Sequence, residues 1–299
     1  MRKIPVGRYP APVAPFSQSG DFMPDAFAEL LRWYIPRGAK GFLIAGDNAE
    51  HWSLTPQEIG QMTEIAMRET KGRMPVYVSA WAISERETIA RAEAAAKAGA
   101  YGLCVKPQFY IHAWTGASTA DIVRRFEAVG KAVPLPMMVY NSPNRTGVNI
   151  TQEALAAICD VVEVEALKDT SHDTQHLIRN VLQFHDRLSV LLSESVFMTG
   201  MLLGGGGTIG TGLDLFPNAD RIFEFERMSP EERRQLQRWM TEVASVINRT
   251  GTIPAAYKAA FNMLGLPGGY LREPVPNLTP EQEAKVRDLL VRWGALAGC

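Results

Sequence analysis

Short apolar runs recur along this chain, and longer amphipathic stretches separate them. In order the runs are VAPF (13–16), FLIAG (42–46), PVYVSA (75–80), YGLCVKP (101–107), PLPMMVYN (134–141), VEVEALK (162–168), LSVLLSE (188–194) and GGTIGTG (206–212). Their length and β-branched content predict strands. The stretches between them carry helix starts. Thr55-Pro56-Gln57-Glu58 and Ser84-Glu85-Arg86-Glu87 each have the form of a capping box. Gly38, Gly72 and Gly99 stand just before the next apolar run, where a helix would end. Ile89, Ala92 and Ala96 give the third stretch the small, one-sided face of a helix packed on a sheet.

Strands alternating with helices predict parallel βαβ units with right-handed crossovers. Eight units over roughly 220 residues suit a (β/α)8 barrel. A doubly wound open sheet is the alternative, but no Gly-rich fingerprint follows the first strand. Beyond Pro217 the texture turns helical, over 229–249, 254–264 and 279–295. Ser229-Pro230-Glu231-Glu232 and Thr279-Pro280-Glu281-Gln282 are two more capping boxes. The expected organisation is an α/β barrel over residues 1–225 with a C-terminal helical extension over 226–299 packed on it.

The chain has 299 residues, 46% of them hydrophobic, which is enough for a substantial core. The net charge of −1 and the lack of a long basic run remove the electrostatic case for binding nucleic acid or an anionic membrane. Cys104, Cys159 and Cys299 share no metal-ligand spacing and cannot all pair within one chain. A reducing compartment, the cytoplasm, is expected, and the N-terminus lacks the apolar segment of a signal peptide. The uncharged stretch from Ser195 to Leu213 is long enough to span a membrane. Seven of its residues are Gly, and a helix–turn–strand passage suits them better.

In such a barrel the catalytic groups come from the C-terminal ends of the strands. The run 162–168 ends on Lys168. An ammonium group at the end of a core strand is costly to bury unless it is paired or deprotonated, and a deprotonated lysine is a nucleophile. The plain alternative is that Lys168 reaches solvent where the strand stops. The same rim would hold Gly46-Asp47-Asn48-Ala49-Glu50, Ser79, Trp81, Lys106-Pro107-Gln108-Phe109-Tyr110, Tyr140 to Gly147, Ser193-Glu194 and Gly204 to Gly210. A neutral lysine attacks a ketone to form an imine, which serves as an electron sink. Tyr140 would move protons, and the backbone near Gly46 to Asn48 would hold a carboxylate. Arg145 would pair with a second carboxylate, and glycines 204–207 would let the backbone approach the site.

Each of these has a plainer reading. Tyr140 is also what a lid aromatic looks like, and Arg145 a surface turn residue. The glycine run lacks the Lys-Ser/Thr of a phosphate loop. His172 and His176, four apart on an expected helix, would need a third ligand to hold a metal.

Taken in order, Tyr140-Asn141-Ser142-Pro143-Asn144-Arg145-Thr146-Gly147, Lys168-Asp169, Gly204-Gly205-Gly206-Gly207-Thr208-Ile209 and Leu271-Arg272-Glu273-Pro274 carry a family resemblance. From about Ala11 to Arg272 the chain resembles the dihydrodipicolinate synthase/N-acetylneuraminate lyase family of Schiff-base class I aldolases and dehydratases. The resemblance implies a barrel with a C-terminal helical domain, Lys168 as the imine-forming lysine and Tyr140 as the proton-relay phenol. It also implies a homotetramer, a dimer of dimers, with no metal or organic cofactor beyond the covalent imine. Arg145 is similar to the arginine that meets the second substrate's carboxylate in the synthase branch.

The departures from the family pattern shape the expectation. Gly46-Asp47-Asn48-Ala49-Glu50 stands where the synthase branch reads Gly-Thr-Thr-Gly-Glu. Asp47 thus replaces a relay hydroxyl and would accept a hydrogen bond from Tyr140 and act as a base. Gln108-Phe109 replaces a tyrosine pair, with Tyr110 one residue on. Trp81 stands where a small polar residue is usual, and Ala14 where Thr is common. The leading expectation is a lyase acting on pyruvate or a related 2-keto acid, by aldol cleavage or condensation or by dehydration. Lys168, Tyr140 and Asp47 would be catalytic, and Gly46, Asn48, Arg145, Ile209 and Tyr110 substrate-binding. The alternatives are a synthase condensing pyruvate with aspartate semialdehyde, a barrel that binds keto acids without turnover, and a phosphate-binding barrel resting on the glycine run.

Overall fold

Eight parallel strands close into a ring in the computed structural model, which describes residues 3–112, 116–210 and 212–297. They are β1 (Gly7–Tyr9), β2 (Phe42–Ile44), β3 (Val76–Ser79), β4 (Gly102–Val105), β5 (Met137–Asn141), β6 (Val164–Asp169), β7 (Ser189–Leu191) and β8 (Gly207–Ile209). β2 to β7 pair consecutively and β1 pairs with β8. Backbone bonds bridge the two seams: Leu43 N donates to Pro10 O at 3.0 Å, and Leu192 N to Gly207 O at 2.8 Å.

The helices are α1 (Pro24–Tyr34), α2 (Pro56–Thr70), α3 (Glu85–Lys97), α4 (Thr119–Ala132), α5 (Pro143–Thr146), α6 (Gln152–Val161), α7 (Thr174–Phe184) and α8 (Phe197–Leu202). After them come α9 (Pro230–Ile247), α10 (Ala255–Met263) and α11 (Pro280–Arg292). The boxes before α2, α9 and α11 form reciprocally, and Ser118 with Asp121 makes another before α4. At α3 only half a box forms. Ser84 accepts from Glu87 N, while the Glu87 carboxylate pairs with Arg91 at 2.6 Å.

The first strand differs from the expected one. VAPF (13–16) is buried but is not a strand; Gly7–Tyr9 takes that place in the ring. Pro15 has no N–H to give to a ladder, and Pro10 and Pro12 add the same defect just upstream. The glycine run also has another use. A Cβ on Gly207 would collide with the Gly7 carbonyl, and those on Gly204 to Gly206 would meet His185, Leu192 and Ser189. The run therefore lets β8 close against β1 and β7, not the backbone approach the reacting group. The stretch 195–213 contains α8, a turn and β8, and no helix among the described residues is long and apolar enough to cross a membrane. Cys299 and Thr211 lie outside the described residues.

Alternation along the strands splits the core in two. Tyr9, Leu43, Tyr77, Cys104, Met138, Tyr140, Leu191 and Ile209 fill the barrel, while residues such as Phe42, Ile44, Val76, Val78 and Val139 pack outward on helices. β6 breaks this rhythm once. Met137 lies opposite Val164, but Met138 lies opposite Ala166, so Glu165 is an extra residue in the pairing. Its carboxylate accepts from the Tyr77 and Tyr101 hydroxyls. The bulge reverses the facing of everything after it. Ala166 joins the inner layer, Leu167 packs outward, and Lys168 comes into register with Tyr140.

The C-terminal helices are tied to the barrel through a buried ion pair. Lys258 on α10 donates to Glu50 Oε1 at 2.6 Å and to Tyr270 O at 2.6 Å, while Arg272 N donates to Glu50 Oε2 at 2.9 Å. The side chains are only 3% and 0% exposed. Removing one partner leaves a buried charge uncompensated. Lys258→Met is expected to lower unfolding free energy by about 3–5 kcal/mol in urea titrations, and the double change Glu50→Gln/Lys258→Met to recover most of it. A single-variant loss below about 1 kcal/mol would mean that the pair behaves like a solvated one.

Candidate active site

Register places the two expected catalytic side chains together. Tyr140 and Lys168 face each other across β5 and β6 at the C-terminal rim, with Lys168 Nζ 4.5 Å from the Tyr140 ring centroid. Lys168 is 8% exposed. Burial pushes its pKa down to about 7; Cys104 opposes this shift, the positive charges of Arg145 and Lys106 add to it, and Glu194 opposes it least. The same desolvation pushes the Tyr140 phenol up to about 12, so it stays protonated. Gly210, with φ of 63°, passes so close that a Cβ there would lie 3.3 Å from Lys168 Nζ. Ile209 beside it belongs to the inner layer.

Asp47 is the hub of the polar network. It sits in a 3-10 turn, Asp47–Ala49, that Gly46 opens after β2. Its carboxylate accepts from Tyr140 OH at 3.0 Å, from Lys106 Nζ at 2.9 Å, and from Arg145 Nη1. Arg145 Nη1 also lies 3.3 Å from Tyr140 OH. A lone Asp47 carboxylate would repel a substrate carboxylate; Lys106 and Arg145 in contact with it offset that repulsion.

Lys106, placed on the rim by the sequence but given no role there, is part of this network. It ends β4's apolar run as Lys168 ends β6's, and that shared pattern was the available signal. It is fully enclosed, with its ammonium 3.8 Å from the Trp81 ring centroid and 4.6 Å from that of Tyr140. Burial lowers its pKa to about 7 against a smaller opposing pull from Cys104, and the Asp47 carboxylate in contact with it favours the charged form. Glu194, noted only as a strand end, is buried and interacts electrostatically with Lys168; burial raises its pKa and favours the neutral acid.

Other expected site residues are placed differently. Asn48 is committed to structure, donating its side-chain amide to Ala11 O at 3.1 Å. Tyr110 is 69% exposed and does not line the cleft. His172 precedes α7 instead of lying on it, and His176 is held by Asn141, Gln152 and Asp169. The two therefore make no metal pair, and no cluster of potential metal ligands occurs among the described residues.

A cleft of about 460 Å³ opens above Asp47, Lys106 and Arg145, with Trp52, Trp81, Phe109 and Ile253 around it. Trp81 is braced from behind by His51, whose ring stacks on it at 4.0 Å. His51 is itself fixed by Ala45 O at 2.6 Å and Arg91 Nη1 at 2.8 Å. Burial, then Arg91, push its pKa down to about 3, so the ring is neutral. Lys168 does not line the cleft directly; Asp47 connects the two through Tyr140.

The dihydrodipicolinate synthetase family model matches residues 5–292. An uncharacterized DapA-like lyase of Halobacterium salinarum is 30% identical over 293 residues, covering 97% of this chain and 94% of its own. The 4-hydroxy-tetrahydrodipicolinate synthase of Nitratidesulfovibrio vulgaris is 30% identical over 297 residues, covering 96% and 98% respectively. Among solved structures, dihydrodipicolinate synthase from Aquifex aeolicus superposes with a TM-score of 0.86 at 23% identity, over 98% of this chain and 100% of that one. With a match of this extent over a closed barrel, the chain belongs to the dihydrodipicolinate synthetase family, a family of lyases.

Proposed function

We propose that this lyase acts on pyruvate or a related 2-keto acid through an imine on Lys168. The observation that carries the reading is a buried lysine, its pKa lowered to about 7, in register with a protonated phenol inside the barrel. The neutral amine adds to the keto carbon. Tyr140 passes a proton to the departing hydroxyl of the carbinolamine, and water leaves. The imine then draws electrons from the adjacent C–C or C–H bond, the role an organic cofactor fills in other lyases. Asp47 accepts from Tyr140 and connects it to Lys106, so a carboxylate–ammonium pair stands in the path that hydroxyl groups occupy in the synthase branch. The backbone N–H groups of Asp47 and Asn48 open a 3-10 turn and are suited to the substrate carboxylate.

Assembly as a homotetramer, a dimer of dimers, fits the exposed Tyr110 and Ile111 on the loop after β4. The free, buried thiols of Cys104 and Cys159 fit a cytoplasmic setting.

Borohydride reduction in the presence of pyruvate is expected to add a covalent adduct to the peptide carrying Lys168, read by mass spectrometry, and Lys168→Ala to abolish it. No adduct with any 2-keto acid would overturn the reading. The pH dependence follows from the sign of the shift. Below about pH 7 Lys168 is an ammonium ion and above it an amine, so initial trapping rates should climb roughly tenfold per pH unit and level off near 7. A midpoint near the ordinary lysine value would contradict this. Asp47→Asn should reduce turnover roughly 10²–10⁴-fold while the adduct still accumulates on prolonged incubation.

A further inference from the structure

The cleft has two chemically distinct ends. Its charged end holds Asp47, Lys106 and Arg145, and its apolar end is walled by Trp52, Trp81, Phe109 and Ile253. At the charged end, Asp47 is shared by Lys106 and Arg145, which leaves one positive charge uncompensated when both are protonated. That matches a single substrate carboxylate, the one next to the keto group. Arg145, 40% exposed, is engaged through Nη1 with both Asp47 and Tyr140.

The walls offer little to a polar tail. The other polar lining residues are Thr146 and Thr252. The Thr146 hydroxyl is occupied by the Ser142 and Val148 backbone, and Thr252 is exposed at the mouth. Apart from the Trp81 Nε1 donor and the donors of Arg145, which the keto-acid carboxylate takes up, a hydroxylated or charged tail would lose its water without gaining partners along the walls. A flat apolar group has partners. Trp81 and Phe109 meet edge to face, 5.5 Å apart at 84°, and Trp81 is held rigid by the ring of His51. Such an arrangement gives an incoming ring both a face and an edge to pack on.

We propose that the aldehyde partner of this enzyme, or the distal half of the 2-keto acid it cleaves, is an uncharged aryl group. The inference rests on the Lys168 imine reading and specifies the substrate class for that site. In the condensing direction, C3 of the Lys168 enamine bonds to the aldehyde carbon. The carbonyl π pair moves to oxygen, which takes a proton through Tyr140. Water then adds to the imine and releases the hydroxylated 2-keto acid, regenerating the Lys168 amine.

The test offers the full chain pyruvate with benzaldehyde, with succinic semialdehyde (a second carboxylate) or with glyceraldehyde (a hydroxylated tail), and quantifies products by chromatography and mass spectrometry. The kcat/KM for benzaldehyde is expected to exceed that for either competitor roughly a hundredfold. Phe109→Ala and Trp52→Ala should each narrow that ratio about tenfold. Trp52 is half-exposed, so its replacement spares the core. Benzaldehyde turnover at or below either competitor, including none at all, with the pyruvate adduct on Lys168 intact, overturns this inference and leaves the imine reading standing. Loss of the adduct itself overturns both.

Discussion

One extra residue in one strand decides where the Lys168 amine points. Because side chains alternate across a sheet, an unbulged pairing from Val164 onward would turn Lys168 outward among the helices. Glu165 absorbs the offset, and its carboxylate is held by two phenols within the barrel. From that single shift come the Tyr140–Lys168 pairing, the burial that lowers the lysine pKa, and the approach of Gly210. The tyrosine pair beneath therefore does more than fill space: it holds a carboxylate inside an otherwise apolar layer, where an unbonded one would be intolerable.

Above this layer the problem is compensation of charge. Asp47, Lys106, Arg145 and Lys168 are gathered near one aromatic ring. Ion pairs in such surroundings contribute little net stability, because desolvation offsets attraction, but they fix geometry. Here they fix the direction of the Tyr140 hydroxyl and keep the site from repelling anions. The arrangement joins a carboxylate and a lysine amine to the phenol and keeps a hydrogen-bonded connection from it to the cleft.

Much of this was legible in the chain. Period and caps gave the barrel order and the helical tail, and the family resemblance singled out Tyr140 and Lys168. Features that depend on distant pairing were not legible. Lys106 and Asp47 are 59 positions apart, so nothing local marks their contact. VAPF has the composition of a strand, yet a proline in it forfeits the ladder, and three residues nearer the terminus pair instead. The glycine run looked like a place for close approach to the site; its neighbours turned out to be the adjoining strands. Tyr110 differed because residue type says nothing about which way a loop faces.

The helical tail does not simply cap the barrel. Ile253 and Thr252 border the cleft just before α10, while Tyr257 and Lys258, a turn later, hold Gly210 and Glu50. One short segment thus carries both the rim of the entrance and the bolts that fasten it. The barrel alone is an incomplete enzyme: excising it would unmake the doorway along with the brace. Variation confined to the residues before Pro254 can instead reshape what enters while the fastening one turn on stays in place.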